Sequence, residues 1–319
     1  MLRSFLIYLS KAEWAQRAVS GWKLAWRTAA RFVAGTTIED AIRVVHELGA
    51  RGINVTLDHL GEHTSTPQEA SDATVAILGS LDAISQAALC ANVSIKLTQI
   101  GLGLDEEACR QNLERVLGRA KKHGNFVRID MEDTPYTDQT LRLVEQTRRE
   151  GYSNTGTVLQ SYLYRSEADA RKLLADGTPI RLVKGAYQEP PDKAFPRKAD
   201  VDANFDLLTK IIMDAALTAK SPRPGSTACF PPIPAIGTHD EKRIEFAKQY
   251  AERIGLSKQD YEFQMLYGIR RDLQERLVKE GYLVRVYVPF GTHWYPYFMR
   301  RLAERPANIW FFISNFFRK

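Results

Sequence analysis

Several ionisable side chains of this chain sit inside short apolar runs. Lys96 lies in Ser94-Ile95-Lys96-Leu97, and Asp130 in Arg128-Ile129-Asp130-Met131-Glu132-Asp133. A charge in such a run is costly unless it is paired or faces a polar cavity. For any one of them a barrel-interior ion pair is a fair alternative, but several converging point to a site. A third run, Arg181-Leu182-Val183-Lys184-Gly185-Ala186-Tyr187, alternates so that Arg181 and Val183 take one face and Leu182 and Lys184 the other. Two cations so close need anionic partners, and Gly185 is expected to let a phosphate or a flat ring approach the backbone. A Schiff-base lysine at Lys184 is a competing reading.

Near the end of the chain come Arg285-Val286-Tyr287-Val288-Pro289-Phe290 and then Tyr297-Phe298-Met299-Arg300-Arg301-Leu302. If the second stretch is helical, Tyr297 shares a face with Arg300 and Arg301 at i+3 and i+4. Two guanidinium forks beside a phenol suit a small carboxylate, against the alternative of a solvated basic face. His59-Leu60-Gly61-Glu62-His63 spells an inverted zinc-protease pattern. It follows a strand and is broken by glycine, whereas that chemistry needs a helix, so no metal is expected. The three cysteines, Cys90, Cys109 and Cys229, are odd in number and far apart in sequence, which argues against a disulfide framework. Neither G-x-G-x-x-G nor a phosphate-binding P-loop is present, so any dinucleotide needs a non-Rossmann site.

These residues need strands to carry them, and from residue 50 onward apolar or β-branched runs alternate with stretches of helical period. The runs are 54–58, 93–98, 126–131, 157–162, 180–184, 235–238, 261–266 and 284–289. Eight βα units predict a single (β/α)8 TIM-like barrel with its active site at the C-terminal strand ends. Thr66-Pro67-Gln68-Glu69 reads as a helix start with a capping box, Thr137 and Ser166 as further caps, and Gly151, Gly177 and Gly255 as helix stops. Residues 1–35 read as an amphipathic helical arm and 36–319 as the catalytic barrel, with the proline-rich segment 221–234 expected as a surface excursion. The formal charge is +6, of which the arm carries six basic residues against Glu13 alone. The body is therefore almost neutral, which argues against a nucleic-acid partner.

Read in order, Lys96 in S-I-K-L, Asp130 in R-I-D-M-E-D, Gln160 in V-L-Q-S-Y-L, the run R-L-V-K-G-A-Y, Thr238-His239 in G-T-H-D, Glu262 and Gln264 in Y-E-F-Q, and Y-P-Y-F-M-R-R resemble the proline dehydrogenase family. The resemblance runs from about residue 36 to 305. It implies FAD lying across the strand ends, with Arg181 near flavin N5 and Met131, Gln160, Lys184, Gly185, Ala186, Thr238, His239 and Glu262 on the cofactor. It assigns the substrate carboxylate to Lys96, Arg300 and Arg301, and the ring to Ala186, Tyr287 and Tyr297. Asp130 joins Arg181 as a catalytic residue, and Glu62 closes a lid by pairing with Arg300. The implied reaction oxidises L-proline to 1-pyrroline-5-carboxylate by hydride transfer to FAD, which a membrane quinone reoxidises. The chain is too short to add an aldehyde dehydrogenase domain, so a monofunctional enzyme is expected.

Two rival readings remain. The same barrel could take hydroxyproline or another N-substituted amino acid, although Tyr297 leaves little room for a ring hydroxyl. Alternatively the arm could make the chain a non-enzymatic basic membrane-surface module, which leaves Lys96, Asp130 and the arginine pair without a purpose. No run of roughly 18 apolar residues occurs, and a cytoplasmic protein with a retained bacterial arm is expected. Peripheral contact with the inner face of the cytoplasmic membrane is expected through the arm and an aromatic tail (Trp310, Phe311, Phe312, Ile313, Phe316, Phe317), with packing on the barrel or an oligomer contact as the alternative.

Overall fold

The computed structural model describes residues 8, 9, 12, 14, 23–218 and 229–304. Among them, eight parallel strands close into a barrel in sequence order: β1 (Asn54–His59), β2 (Ala91–Ile95), β3 (Val127–Ile129), β4 (Thr155–Gln160), β5 (Ile180–Val183), β6 (Pro234–Gly237), β7 (Glu262–Leu266) and β8 (Leu283–Phe290). β8 pairs with β1 over six residue pairs, from Asn54 opposite Arg285 to His59 opposite Phe290. The strands alternate apolar and polar residues, and the alternation sets what faces where. Val55, Leu57, Val93, Ile95, Val127, Ile129, Val284, Val286 and Val288 join the buried layer shared with the helices. Thr56, Asp58, Asn92, Ser94, Arg128, Arg285 and Tyr287 bond to one another or to strand carbonyls across the interior. Where barrels of this kind usually fill their centre with branched aliphatics, this one holds polar and charged groups.

Helices α3 (Pro67–Gln86), α4 (Glu106–Lys122), α5 (Thr134–Arg149), α6 (Ser166–Ala175), α7 (Lys198–Thr218), α8 (Glu241–Ile254) and α9 (Arg271–Lys279) follow β1 to β7 in turn, after α1 (Lys23–Ala29) and α2 (Ile38–Gly49). The Thr66 side chain accepts from the Glu69 amide as its motif predicts, while Glu69 reaches back to Ser65 N at 2.7 Å. Gly255 ends α8 in the left-handed region. Two expected caps fail. Thr137 lies inside α5, which starts at Thr134 after Asp133, and Ser166 is the first residue of α6, its hydroxyl donating to the Gln160 carbonyl at 2.6 Å.

The last helix, α10 (Trp294–Glu304), packs with α1, and α2 covers β1 and β8 from outside. Ala25, Ala29, Phe32 and Val33 bury against Trp294, Tyr295 and Phe298. Trp26 meets Trp294 edge-on at 5.5 Å. The described part of the arm thus packs on the barrel; its remainder and the aromatic tail lie outside the described residues. Gly268 admits this packing, because a Cβ there would fall 1.7 Å from the Arg31 carbonyl oxygen. Among the described residues no helix is long and apolar enough to cross a membrane.

The described end of the proline-rich segment is not a surface excursion. Phe230 packs edge-on against Phe126 at 6.0 Å, Asn92 donates to the Cys229 carbonyl at 3.0 Å, and Ile180 N donates to Ile233 O at 2.9 Å. Residues 229–233 therefore cross the barrel floor, satisfying strand-end groups there. They also bring Cys229 beside Cys90, both as free thiols.

Candidate active site

Five strands, β1, β2, β3, β5 and β8, bring the central cluster together. Lys96, one residue past β2, places its ammonium 3.2 Å from Asp58 Oδ2, 3.4 Å from Asp130 Oδ2, 3.1 Å from the Tyr287 hydroxyl and 3.6 Å from Glu62 Oε1. Asp130, one residue past β3, accepts from Ser94 at 2.6 Å, Arg181 Nη1 at 3.0 Å and the Tyr287 hydroxyl at 2.8 Å. The Arg181 guanidinium also lies over the Tyr287 ring, 5.3 Å from its centroid. From α10, Arg300 meets both oxygens of Glu62, at 2.8 and 2.5 Å. Arg301 is buried and lies 5.0 Å from the Tyr297 ring centroid. The helical face predicted for Tyr297, Arg300 and Arg301 therefore covers the strand ends and is not solvated.

The electrostatics follow from this packing. Burial alone would raise every carboxyl here. At Asp130 that effect is overcome by Arg181 and Lys96, with help from Ser94 and Tyr287, and the group is held below the usual carboxylate range. At Asp58 burial wins despite Lys96, and its pKa rises. Glu62 is brought down to about 2 against burial, by Arg300 first and then Lys96. Lys96 overcomes its own desolvation through Asp58 and the other anions, and stays protonated well above its ordinary range. Tyr287 is pushed far up by burial and by Asp130, so it remains a hydroxyl donor.

The expected cofactor residues are more spread. Met131 follows β3, Gln160 ends β4, Ala186 follows β5, and Thr238 and His239 follow β6, all near C-terminal strand ends. His239 Nε2 accepts from Leu266 N at 3.0 Å, which puts the proton of a neutral ring on Nδ1. Lys184 turns outward, as alternation predicts, and its ammonium is held by Asp202 at 2.5 Å and Asp240 at 2.6 Å. Gly185 has φ +116°, and a Cβ there would lie 2.5 Å from the Tyr162 ring. A close approach of the protein's own tyrosine thus already requires a glycine here.

Glu262 needs correction. It opens β7, is fully buried, and forms an ion pair with Arg285 Nε at 2.9 Å. It neighbours the floor residues, at the strand end away from the mouth, so it braces the barrel and does not reach a cofactor there. Three further residues carried no assigned role in the sequence. Asp58 completes the shell around Lys96. Glu132 is buried against Thr98, and burial raises its carboxyl to about 7. Tyr187 is raised far above its ordinary pKa by burial and by Glu62, with Arg300 among the charges it faces. Glu132 and Tyr187 stood inside the quoted motifs and Asp58 closed the first strand run, where being charged or phenolic near a strand end was the available signal.

Two buried polar atoms at this end, Gln160 Oε1 and Arg181 Nε, have no hydrogen-bond partner within the protein. Orphaned buried groups are expensive, and a planar heteroaromatic ring carrying both donors and acceptors could satisfy them. The residues therefore fit a flavin. Among the described residues no group of three His, Cys, Asp or Glu is arranged to hold a metal ion.

Comparison with known proteins agrees with this geometry. The family model described as proline dehydrogenase matches residues 41–312. "Proline dehydrogenase 2" of Bacillus subtilis is 39% identical over 319 residues, covering 99% of both chains. "Proline dehydrogenase" of Deinococcus radiodurans is 42% identical over 295 residues, covering 91% of this chain and 90% of that one. In structure, proline utilization A from Bdellovibrio bacteriovorus, inactivated by N-propargylglycine, superposes with a TM-score of 0.78 at 26% identity, covering 88% of this chain. This chain spans only 33% of that larger protein. With a family match across most of the barrel and full-length relatives at this identity, the chain belongs to the proline dehydrogenase family.

Proposed function

We propose that the chain oxidises L-proline to 1-pyrroline-5-carboxylate with FAD as the immediate electron acceptor. The observation that carries this reading is the mixture of signs packed at the barrel mouth. Lys96, Arg181 and Arg300 stand among Asp58, Glu62 and Asp130 within a few ångströms, an arrangement suited to a zwitterion and poorly suited to a simple anion or cation.

Lys96, Arg300 and Arg301 would hold the substrate carboxylate, the guanidinium groups by directional forks. Tyr287 and Tyr297, with Ala186, would bound the ring and exclude water, fixing C5. Arg181 and Asp130 orient one another, and Met131, Gln160, Thr238 and His239 would line the cofactor. FAD, when bound, supplies the hydride acceptor: C5 loses a hydride, the amine loses a proton, and a C=N bond forms. A quinone is the proposed oxidant of the reduced flavin, reached if the arm and tail bring the protein to an anionic bilayer surface.

Anaerobic addition of L-proline to purified, yellow protein should bleach the visible flavin band with two electrons per chain. A flavin band unaffected by L-proline but bleached by hydroxyproline would move the substrate assignment. Correctly folded, colourless protein that cannot be loaded with FAD would reject the cofactor.

A further inference from the structure

The segment that carries Glu62, residues 60–66 between β1 and α3, has no regular structure of its own. It is gripped instead by the 3-10 turn Thr98–Ile100 that follows β2. Ahead of Glu62, Gln99 Nε2 donates to the His59 carbonyl at 2.6 Å. Behind it, His63 N donates to Thr98 Oγ1 at 3.3 Å, while Thr64 N and Oγ1 donate to the Thr98 carbonyl at 3.3 and 3.0 Å. The turn thus clasps the segment on both sides of the residue that pairs with Arg300.

What holds the clasp is Glu132, just past β3 and 1% exposed. Its Oε2 accepts from Thr98 N at 3.1 Å, and its Oε1 meets the Thr98 hydroxyl. A carboxylate is the right partner, because a hydroxyl that donates to it keeps its lone pairs for the His63 amide. An amide or protonated carboxyl can turn that hydroxyl round and spoil the arrangement.

We infer that Glu132 is a positioning residue for substrate binding: by fixing Thr98 it holds the Glu62 segment where Glu62 meets Arg300. The identity of the substrate rests on the function proposed above; the mechanical link does not. Glu132 faces Glu62 in the segment itself, Lys96 after β2, Cys109 of α4 and Tyr187 after β5. Burial first, and then Glu62, raise it to about 7, against the opposing effect of Thr98 and Lys96. Its clasping, ionised form therefore fades as pH falls through neutrality.

The test compares flavin-loaded wild type with Glu132→Gln, Thr98→Val, Thr98→Ser and the Glu132→Gln/Thr98→Val double variant. Losing one well-placed hydrogen bond should raise the KM for L-proline about three- to tenfold in Glu132→Gln and in Thr98→Val, with kcat changed less than about twofold. The double variant should be no worse than the poorer single one, since both cut the same link. Thr98→Ser, which keeps the hydroxyl, should restore a near-normal KM. Wild-type KM should rise as pH falls below 7, and that rise should vanish in Glu132→Gln. Hydrogen exchange should quicken at residues 61–64 in both single variants and stay unchanged in β5 and β7. An unchanged KM, additive effects or a uniform rise in exchange would overturn the inference. If wild type itself does not respond to L-proline, the substrate assignment falls while the exchange measurement still decides the clasp.

Discussion

Glu62 and Arg300, 238 residues apart, join a strand-end loop to the last described helix by a two-point ion pair at 2.5 and 2.8 Å. The planar fork that makes this pair is also the group expected to grip a carboxylate, and lysine lacks it. Arg300→Lys and Arg301→Lys should each weaken L-proline by well over tenfold, since disturbing a buried charged hydrogen-bond partner costs on the order of 2–5 kcal/mol. Steady-state kinetics at constant salt, with flavin content per chain, reads the effect. Near-normal proline efficiency in both variants at full flavin content would remove the carboxylate assignment.

Asp130→Asn keeps shape but withdraws the negative charge shared by Arg181 and Lys96, and should lower stability by about 3–5 kcal/mol at neutral pH. Because the folded state holds this carboxyl below its ordinary range, its contribution is present above the ordinary aspartate pKa of about 4 and is lost as pH falls through the depressed folded value. Urea unfolding of both proteins should therefore differ most at neutrality and converge in acid. A constant gap across pH would show that Asp130 is not ionised in the fold.

Glu132 gives the opposite sign. A carboxyl raised to about 7 binds its proton more tightly in the folded chain than in the unfolded one, so stability declines as pH rises from the ordinary glutamate value toward 7. Glu132→Gln, which never ionises, should gain on wild type over that interval, by at most about 3 kcal/mol. Denaturation midpoints at pH 5 and 8 would reveal it; parallel curves would refute the raised pKa.

Tyr297 is buried among Trp294, Tyr295 and Phe298. Tyr297→Ser should lower efficiency with L-proline and improve the ratio of trans-4-hydroxy-L-proline to L-proline, because a removed phenol opens room while sacrificing contact. An unchanged ratio of the two efficiencies places Tyr297 outside the ring pocket.

The barrel was legible because each β-branched run had length and spacing suited to a strand, and all eight runs overlap the observed strands. Lys96, Asp130 and Arg181 were legible for a related reason: a charge flanked by Ile, Leu or Val has few places to go. What the pattern lacks is an axial coordinate. Glu262 and Leu266 share β7, yet four residues separate floor from mouth by about 13 Å, and nothing in Y-E-F-Q states which end a glutamate occupies. Thr137 and Ser166 looked like caps because capping chemistry is local, whereas the helix starts are set by Asp133-Thr134-Pro135 and by the β4 carbonyl that captures Ser166. Glu132 was hidden by company, one acid beside Asp130 and Asp133, and only its enclosure by Thr98 sets it apart.

The charged interior also limits how a lineage carrying this fold can drift. Asp58, Lys96, Asp130, Arg181 and Tyr287 are bonded to one another, so altering any one strands a buried partner, and effects inside such a network do not add. Surface pairs such as Arg171 with Glu167 on α6 contribute little and can come and go singly. Descendants should thus diverge freely on the outer helix faces, while the interior set is inherited as a block or replaced only through compensating changes made together.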